Sequence, residues 1–241
     1  MCKYQTEQFQ KDLKDLNLFL SERQIGQLIR YYEMLVEWNQ VMNLTAITEY
    51  DSVMKKHFTD SLSLVKAYDM KGASSLIDVG TGAGFPGLVL KIAFPECRVT
   101  LLDSLNKRIQ FLNAVINELG LTDVEAVHGR AEDFARPGKR RESYDLCVSR
   151  AVAGLATLSE YCLPFVKKGG FFIAYKSEKI SDEITEAEKA IVLLGGKIED
   201  KKEFLLPDSD ICRCLFVIKK IRETPKKYPR KAGLPTKEPL R

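Results

Sequence analysis

Residues 76–87 read Leu-Ile-Asp-Val-Gly-Thr-Gly-Ala-Gly-Phe-Pro-Gly, and this stretch constrains the fold more than any other. A short apolar run ends in Asp78 and Val79. Gly80, Gly82 and Gly84 follow at alternate positions, and a helical pattern opens near Pro86. Bare backbone at such a turn admits positive φ and lets a ligand rest against the main chain. The amide ends of the following helix point at that ligand. A strand, a glycine turn and a helix in this order form the first turn of an open α/β sheet, at its switch point.

The surrounding sequence keeps the pattern. Strands are expected at Leu76–Val79, Arg98–Asp103, Val124–His128, Asp145–Ser149 and Gly170–Tyr175. Helices are expected between them, at Pro86–Ala93, Asn106–Leu119, Leu155–Leu163 and Glu178–Leu194. Such alternation predicts a parallel sheet with helices on both faces. Lys197–Leu205 and Ile211–Ile218 read as two more strands. The loop between them is too short for a helical crossover, so one of the pair runs antiparallel. The expected fold is α/β and Rossmann-like: seven strands, mostly parallel, one antiparallel.

Helices open the chain. Ser21 and Gln24 form a capping-box pattern, and Ile25, Leu28, Ile29, Tyr32 and Val36 recur at helical spacing. A further helix is expected over Asp51–Tyr68, with Met54, Phe58, Leu62 and Val65 on one stripe. Prolines at 225, 229, 235 and 239 argue against regular structure beyond Ile221. The division is then 1–70 as a helical extension packed on the core, 71–221 as the ligand-binding core, and 222–241 as a basic, proline-rich tail.

Composition excludes other classes. With 45% hydrophobic and 29% charged residues in 241, the chain is an ordinary globular one. No stretch approaches the roughly 20 apolar residues that span a bilayer, and the N-terminus lacks the apolar core of a signal peptide. A soluble, cytoplasmic protein with no membrane partner is expected, acting as a monomer. Cys2, Cys97, Cys147, Cys162, Cys212 and Cys214 are scattered in such a chain, so reduced thiols are the default. One close cysteine pair and two histidines make a poor zinc site, and no metal is expected.

Charge is unevenly placed. Lys219 to Arg241 carries nine basic and two acidic residues, a net +7, against −3 for the rest. That asymmetry points to a polyanionic partner. Three readings of the tail stand: a solvated solubility segment, an extended arm attracting a polyanion, or a strap tucked against the domain. On the second, truncation after Ile221 leaves small-ligand affinity nearly intact and flattens the salt dependence of polyanion binding.

Two ligand classes compete for the glycine loop. Gly82, Gly84 and Gly87 fit the dinucleotide spacing G-x-G-x-x-G. Asp78, just before the loop, suits a cationic ligand better than a pyrophosphate, and S-adenosylmethionine (AdoMet) supplies an ammonium and a sulfonium. Asp103, ending the second strand, is placed to accept ribose hydroxyls in either class. After the third strand, Ala131 and Glu132 fall beside the adenine, with Glu132 either reading its amino group or complementing a helix dipole. Arg150 ends the fourth strand over the reacting centre, or forms a surface ion pair. Lys176 reads as a solvated lysine, His57 and His128 as structural histidines, and Trp38 as core or rim.

Five segments carry a resemblance. They are Trp38-Asn39 with Asn43-Leu44-Thr45, His57-Phe58-Thr59-Asp60-Ser61, the loop Asp78–Gly87, Leu102-Asp103-Ser104, and Ser149-Arg150-Ala151. Together they resemble the bacterial 16S ribosomal RNA guanine-N7 methyltransferases, the glucose-inhibited division protein B family. The likeness runs from about residue 20 into the tail, including Thr224 to Gly233. It implies a class I AdoMet-dependent methyltransferase fold, with a guanine in the 530 loop of small-subunit RNA as target. It also implies cofactor contacts at Gly80, Phe85, Ala131, Glu132 and Arg150, to which the residue chemistry adds Asp78, Gly82, Gly84 and Asp103. The guanine N7 atom already has an in-plane lone pair and loses no proton on attack, so that step needs no general base. Catalysis can then rest on alignment, worth up to about 7–11 kcal/mol, with Arg150 as the residue positioning the reaction centre.

Overall fold

In the computed structural model, residues 4–150, 153–176 and 181–240 are described. All five residues of β1 (Ser75–Val79) are buried, as in a strand covered on both faces. With it lie β2 (Arg98–Asp103), β3 (Val124–His128), β4 (Tyr144–Arg150), β5 (Val166–Lys176), β6 (Gly196–Leu205) and β7 (Cys212–Lys220). Their order is β3-β2-β1-β4-β5-β7-β6. β7 runs antiparallel to both β5 and β6, and the other neighbours pair parallel. This is the sheet the sequence predicts. The chain steps outward from β1 through β2 to β3, then returns to lay β4 on the other side of β1. That reversal opens a crevice at the carboxyl ends of β1 and β4, where open α/β sheets bind ligands.

Alternation along β1 sorts the core into two faces. Leu76 joins one apolar cluster with Leu28, Tyr31 and Leu35 of α2 (Glu22–Met42), which follows α1 (Glu7–Asp15). The N-terminal helices therefore share a core with the sheet. α2 begins on the expected capping box, in which the Ser21 hydroxyl accepts the Gln24 amide and the Gln24 side chain accepts the Ser21 amide. Ile77 and Val79 join the opposite cluster.

The predicted helix over Asp51–Tyr68 is broken into pieces. After α3 (Tyr50–Val53) comes a π-helical turn, Met54–Thr59, then α4 (Asp60–Leu62) and a 3₁₀ turn, Ser63–Lys66. The final tightening puts Leu64 in the core at the expense of the expected Val65. π turns widen the backbone ladder and recur at functional sites.

The sheet's helices are α5 (Gly87–Ala93), α6 (Asn106–Glu118), α7 (Ala131–Phe134), α8 (Leu155–Cys162) and α9 (Ser181–Leu193). The predicted start of the last, at Glu178, lies outside the described residues, as do Cys2 and Ala151. Four cysteines, Cys97, Cys147, Cys162 and Cys214, are buried thiols. Among the described residues no helix is long and apolar enough to cross a membrane.

The tail is a strap, not a free arm. Arg141 donates to the carbonyls of Thr224 and Tyr228. The Arg230 guanidinium forms a two-point ion pair with the fully buried Glu160 of α8, at 3.0 and 2.8 Å, and the Arg230 amide donates to the same carboxylate. A short helix, α10 (Leu234–Lys237), interrupts the proline-rich run. Two of the basic residues counted toward the tail's charge are already engaged: Lys220, at the end of β7, is wholly buried, and the part-exposed Arg230 is paired with Glu160.

Candidate active site

The glycine loop leaves β1 with Gly82 at φ +62, and a Cβ there would meet no protein atom within 4 Å. Gly82 is thus bare toward open space. Gly84 is bare for another reason, since a Cβ there would strike Tyr31 Oη and Leu88. The missing side chain lets the loop settle on α2, where the Tyr31 hydroxyl donates to the Ala83 carbonyl. Gly80 also has positive φ and lines the cleft described below.

Two acids hold this loop. Asp78 is completely buried beneath it. Its Oδ2 accepts the Thr81 hydroxyl and the Gly87 amide, both at 2.7 Å, while its Oδ1 has no partner. Burial is the main reason its pKa rises to about 6, with the two hydrogen bonds acting the other way. The sequence reading set Asp78 against the ligand. In the fold, Asp78 also braces the loop from below. Asp103, at the end of β2, reaches across the sheet: Oδ2 accepts the Gly82 amide at 2.9 Å and the Arg108 guanidinium at 3.1 Å, and Oδ1 accepts the Leu105 amide. A carboxylate has about four acceptor sites, so one remains open.

An open cleft of about 480 Å³ lies over this arrangement, a size typical of small-molecule sites. Gly80, Asp103, Ala131 and Glu132 line it, as do Arg108, Tyr161, Gly233 and Thr236, which sequence reasoning missed. Arg108 lay five residues past Asp103, a local signal for a partner of that acid. The tail residues gave none. Glu132 does not present a free carboxylate, because Oε1 accepts the Gly233 amide at 2.9 Å.

Phe85 and Arg150 are not among the residues lining that cleft. They meet in a second cluster at the end of β4. Arg150 Nη1 donates to Asp60 Oδ2 at 2.6 Å and to the Lys56 carbonyl, and its guanidinium carbon lies 5.3 Å from the centre of the Phe85 ring. The Phe85 ring stacks on His57, centroids 4.5 Å apart and planes 16° from parallel. Asp60 takes a second cation, Arg213 of β7, at 2.8 Å. The sequence did not single out Asp60 for this role, and nothing marked Arg213.

His57 is electrically neutral by construction. Burial and the nearby Arg150 charge depress its pKa to about 4. Arg150 Nη2 lies 3.3 Å from Nδ1 and has only protons to offer, so Nδ1 accepts and Nε2 carries the hydrogen. Nε2 then donates to Thr45 Oγ1 at 2.9 Å. Asn39 Oδ1 in turn holds the Leu44 and Thr45 amides. Three separate motif segments, Asn39 to Thr45, His57 to Ser61 and Ser149-Arg150, therefore converge on one point.

The lesser candidates are structural. Lys176 is not solvated, since it donates to the Ala153 carbonyl and to Glu183. His128 bonds the Ser104 carbonyl across the β2–β3 edge, and Trp38 packs on Phe111.

Residues 24–212 match the family described as GidB, rRNA small subunit methyltransferase G. The chain belongs to that family. A ribosomal RNA small subunit methyltransferase G from Lachnoclostridium phytofermentans is 57% identical over 232 residues, 96% of each chain. The protein of that name from Alkaliphilus metalliredigens is 53% identical over 95% of each. Among solved structures, a SAM-dependent methyltransferase from Aquifex aeolicus superposes with TM-score 0.51 at 18% identity, covering 70% of this chain and 93% of that one. A putative methyltransferase bound to the Haloferax volcanii Trm112 activator superposes with TM-score 0.58 at 14% identity, covering 78% and 98%. At such identities these two show the fold.

As a member of this family, the protein is an rRNA methyltransferase and uses AdoMet. The residues present fit that cofactor. Gly80 lines the cleft with no side chain, Asp103 keeps an acceptor site, and the orphaned Oδ1 of Asp78 stores negative charge behind the loop. A cationic ligand offsets the cost of burying that oxygen. No group of three or more His, Cys, Asp or Glu among the described residues is arranged to hold a metal ion.

Proposed function

We propose that this protein methylates the N7 atom of a guanine in the 530 loop of 16S ribosomal RNA. It does so as a cytoplasmic monomer, with residues 71–221 as the catalytic core and 1–70 as a helical support. AdoMet, when bound, supplies an electrophilic methyl group. Gly80, Gly82 and Ala131 would leave main chain bare for it, and the open acceptor site of Asp103 would take a ribose hydroxyl. Gly84, Asp78 and Glu132 act at one remove: Gly84 seats the loop, Asp78 braces it and contributes charge, and Glu132 fixes the wall beside it.

The observation that carries the N7 assignment is the state of His57. It is the one histidine in the cluster, both its nitrogens are engaged, and its pKa near 4 leaves it a poor base at neutral pH. A nucleophile that has no proton to lose suits such a site. Arg150 and Phe85 then act by position, Arg150 as a fixed cation and Phe85 as the plane it rests on. Attraction to the phosphate backbone is supplied in part by Lys226, Lys227 and Lys231, which are exposed on the outer side of the strap.

Incubation of the purified protein with methyl-labelled AdoMet and small-subunit RNA tests this reading. Label should enter RNA with guanine at the target and stay out of RNA carrying 7-deazaguanine there. Equal labelling of both would refute the N7 assignment.

A further inference from the structure

The cleft has one side that the methyltransferase core does not supply. Gly233 and Thr236, from the far end of the chain, form part of its lining. Three bonds set that segment in place. The Gly233 amide donates to Glu132 at 2.9 Å, the Thr157 hydroxyl donates to the Pro235 carbonyl at 3.0 Å, and the Thr236 and Tyr161 hydroxyls pair at 2.7 Å. Behind them the Arg230–Glu160 pair latches the strap to α8.

We infer that residues 233–236, with Tyr161, are the outer wall of the AdoMet site and contact its adenosine half. The inference rests on the cleft being the cofactor site. Its direction follows from Glu132. This residue lies in the first turn of α7, just after β3, and Gly233 is bonded to it. β3 lies beyond β2 from β1, so with the Asp103 carboxylate at the ribose the base falls toward the turn after β3 and the amino-acid end toward the loop after β1. The wall segment is thus seated at the base end. Its chemistry matches: Tyr161 offers an aromatic face whose hydroxyl is already satisfied by Thr236, and an aromatic face beside a purine ring stacks well. The conformation at Gly233, φ +83, is what turns the chain into α10 and brings Thr236 to the rim. The tail's inner side thereby becomes part of the small-molecule site.

Thr236 is exposed, so a bulky side chain there costs the fold little yet intrudes on the cleft. The test measures binding of AdoMet and of 5′-methylthioadenosine, which keeps the adenosine and lacks the amino acid, to wild type, Thr236→Trp and Glu238→Trp. The last places the same bulk two residues on, at a position that does not line the cleft. Wild-type binding of AdoMet tests the site itself. Given that, Thr236→Trp should weaken both ligands by the same factor, tenfold or more, with an unchanged melting temperature, while Glu238→Trp binds like wild type. Wild-type affinity in Thr236→Trp, or a loss for AdoMet that 5′-methylthioadenosine does not share, would overturn the inference. Should Thr236→Trp melt lower, Tyr161→Leu carries the test, because it removes the aromatic face and keeps an apolar side chain. It should weaken AdoMet and 5′-methylthioadenosine alike, roughly threefold to tenfold, the scale of one aromatic contact, while Tyr161→Phe, which keeps the face, binds like wild type. Wild-type affinity in Tyr161→Leu would equally overturn the inference.

Discussion

The carboxylate of Asp103, at the end of β2, accepts the amide of Gly82 at 2.9 Å, so one acid fixes the glycine loop and borders the cleft at once. Replacing Asp103 by Ala removes both functions. AdoMet binding should weaken by about 1.5–3 kcal/mol, the range for hydrogen bonds to a charged group. Gly82→Val should abolish it, because Val resists the left-handed φ and would shift the amide that Asp103 holds. Titration calorimetry of the two variants checks this. Wild-type affinity in both would remove the loop from the cofactor site.

Arg150→Ala should cost stability as well as turnover. From the sequence alone this variant loses far more methyl transfer than stability. The fold adds an ion pair with Asp60, whose side chain is only 3% exposed. Arg213 remains to pair with Asp60, so the loss should be about 1.5–3 kcal/mol rather than the full cost of a lone buried charge. Urea melts measure it. Turnover under conditions where the variant stays folded should still fall sharply, and normal turnover would return Arg150 to a purely structural part.

The strap should be a stability element. Arg230→Ala leaves Glu160, with a fully buried side chain, without its guanidinium. Breaking such a pair costs about 3–5 kcal/mol. Truncation after Ile221 should lower the melting temperature and weaken AdoMet together, contrary to what an extended arm would do. A truncated protein that melts and binds AdoMet like the full chain would restore the arm.

Two groups give opposite pH dependences. Asp78 has a folded pKa near 6, above its ordinary 3.8, so its stabilising protonation is complete below pH 4 and is lost as pH rises toward 6. His57 is depressed to about 4 from 6.5, so its contribution is present above pH 6.5 and is lost as pH falls toward 4. The two partly cancel in the wild type. Asp78→Asn should therefore steepen the rise of stability between pH 4 and 6, and His57→Gln should reverse its sign. Denaturant midpoints across that range read the effect, and parallel curves for all three proteins would contradict these assignments.

What the sequence disclosed follows from the range of each interaction. β1, β2, β4, β5 and β7 are visible as apolar runs bounded by their own turns, β6 by its short connection to β7, and the glycine loop because left-handed backbone favours glycine. Asp103 was visible because a strand end has a fixed place in such a sheet. The Asp60 cluster was not, since Arg150 and Arg213 come to Asp60 from 90 and 153 residues away. Glu160 gave no warning that it is buried, because its partner is 70 residues on. The π turn at Met54–Thr59 escaped because a 3.6-residue period was assumed throughout.

The most direct test is a map of N7-methylguanine in small-subunit ribosomal RNA from cells with and without this protein. One modified guanine, in the 530 loop, should vanish on deletion and return when the wild-type chain is supplied, but not when Arg150→Ala is. An unchanged map in the deletion strain would contradict the account at its centre.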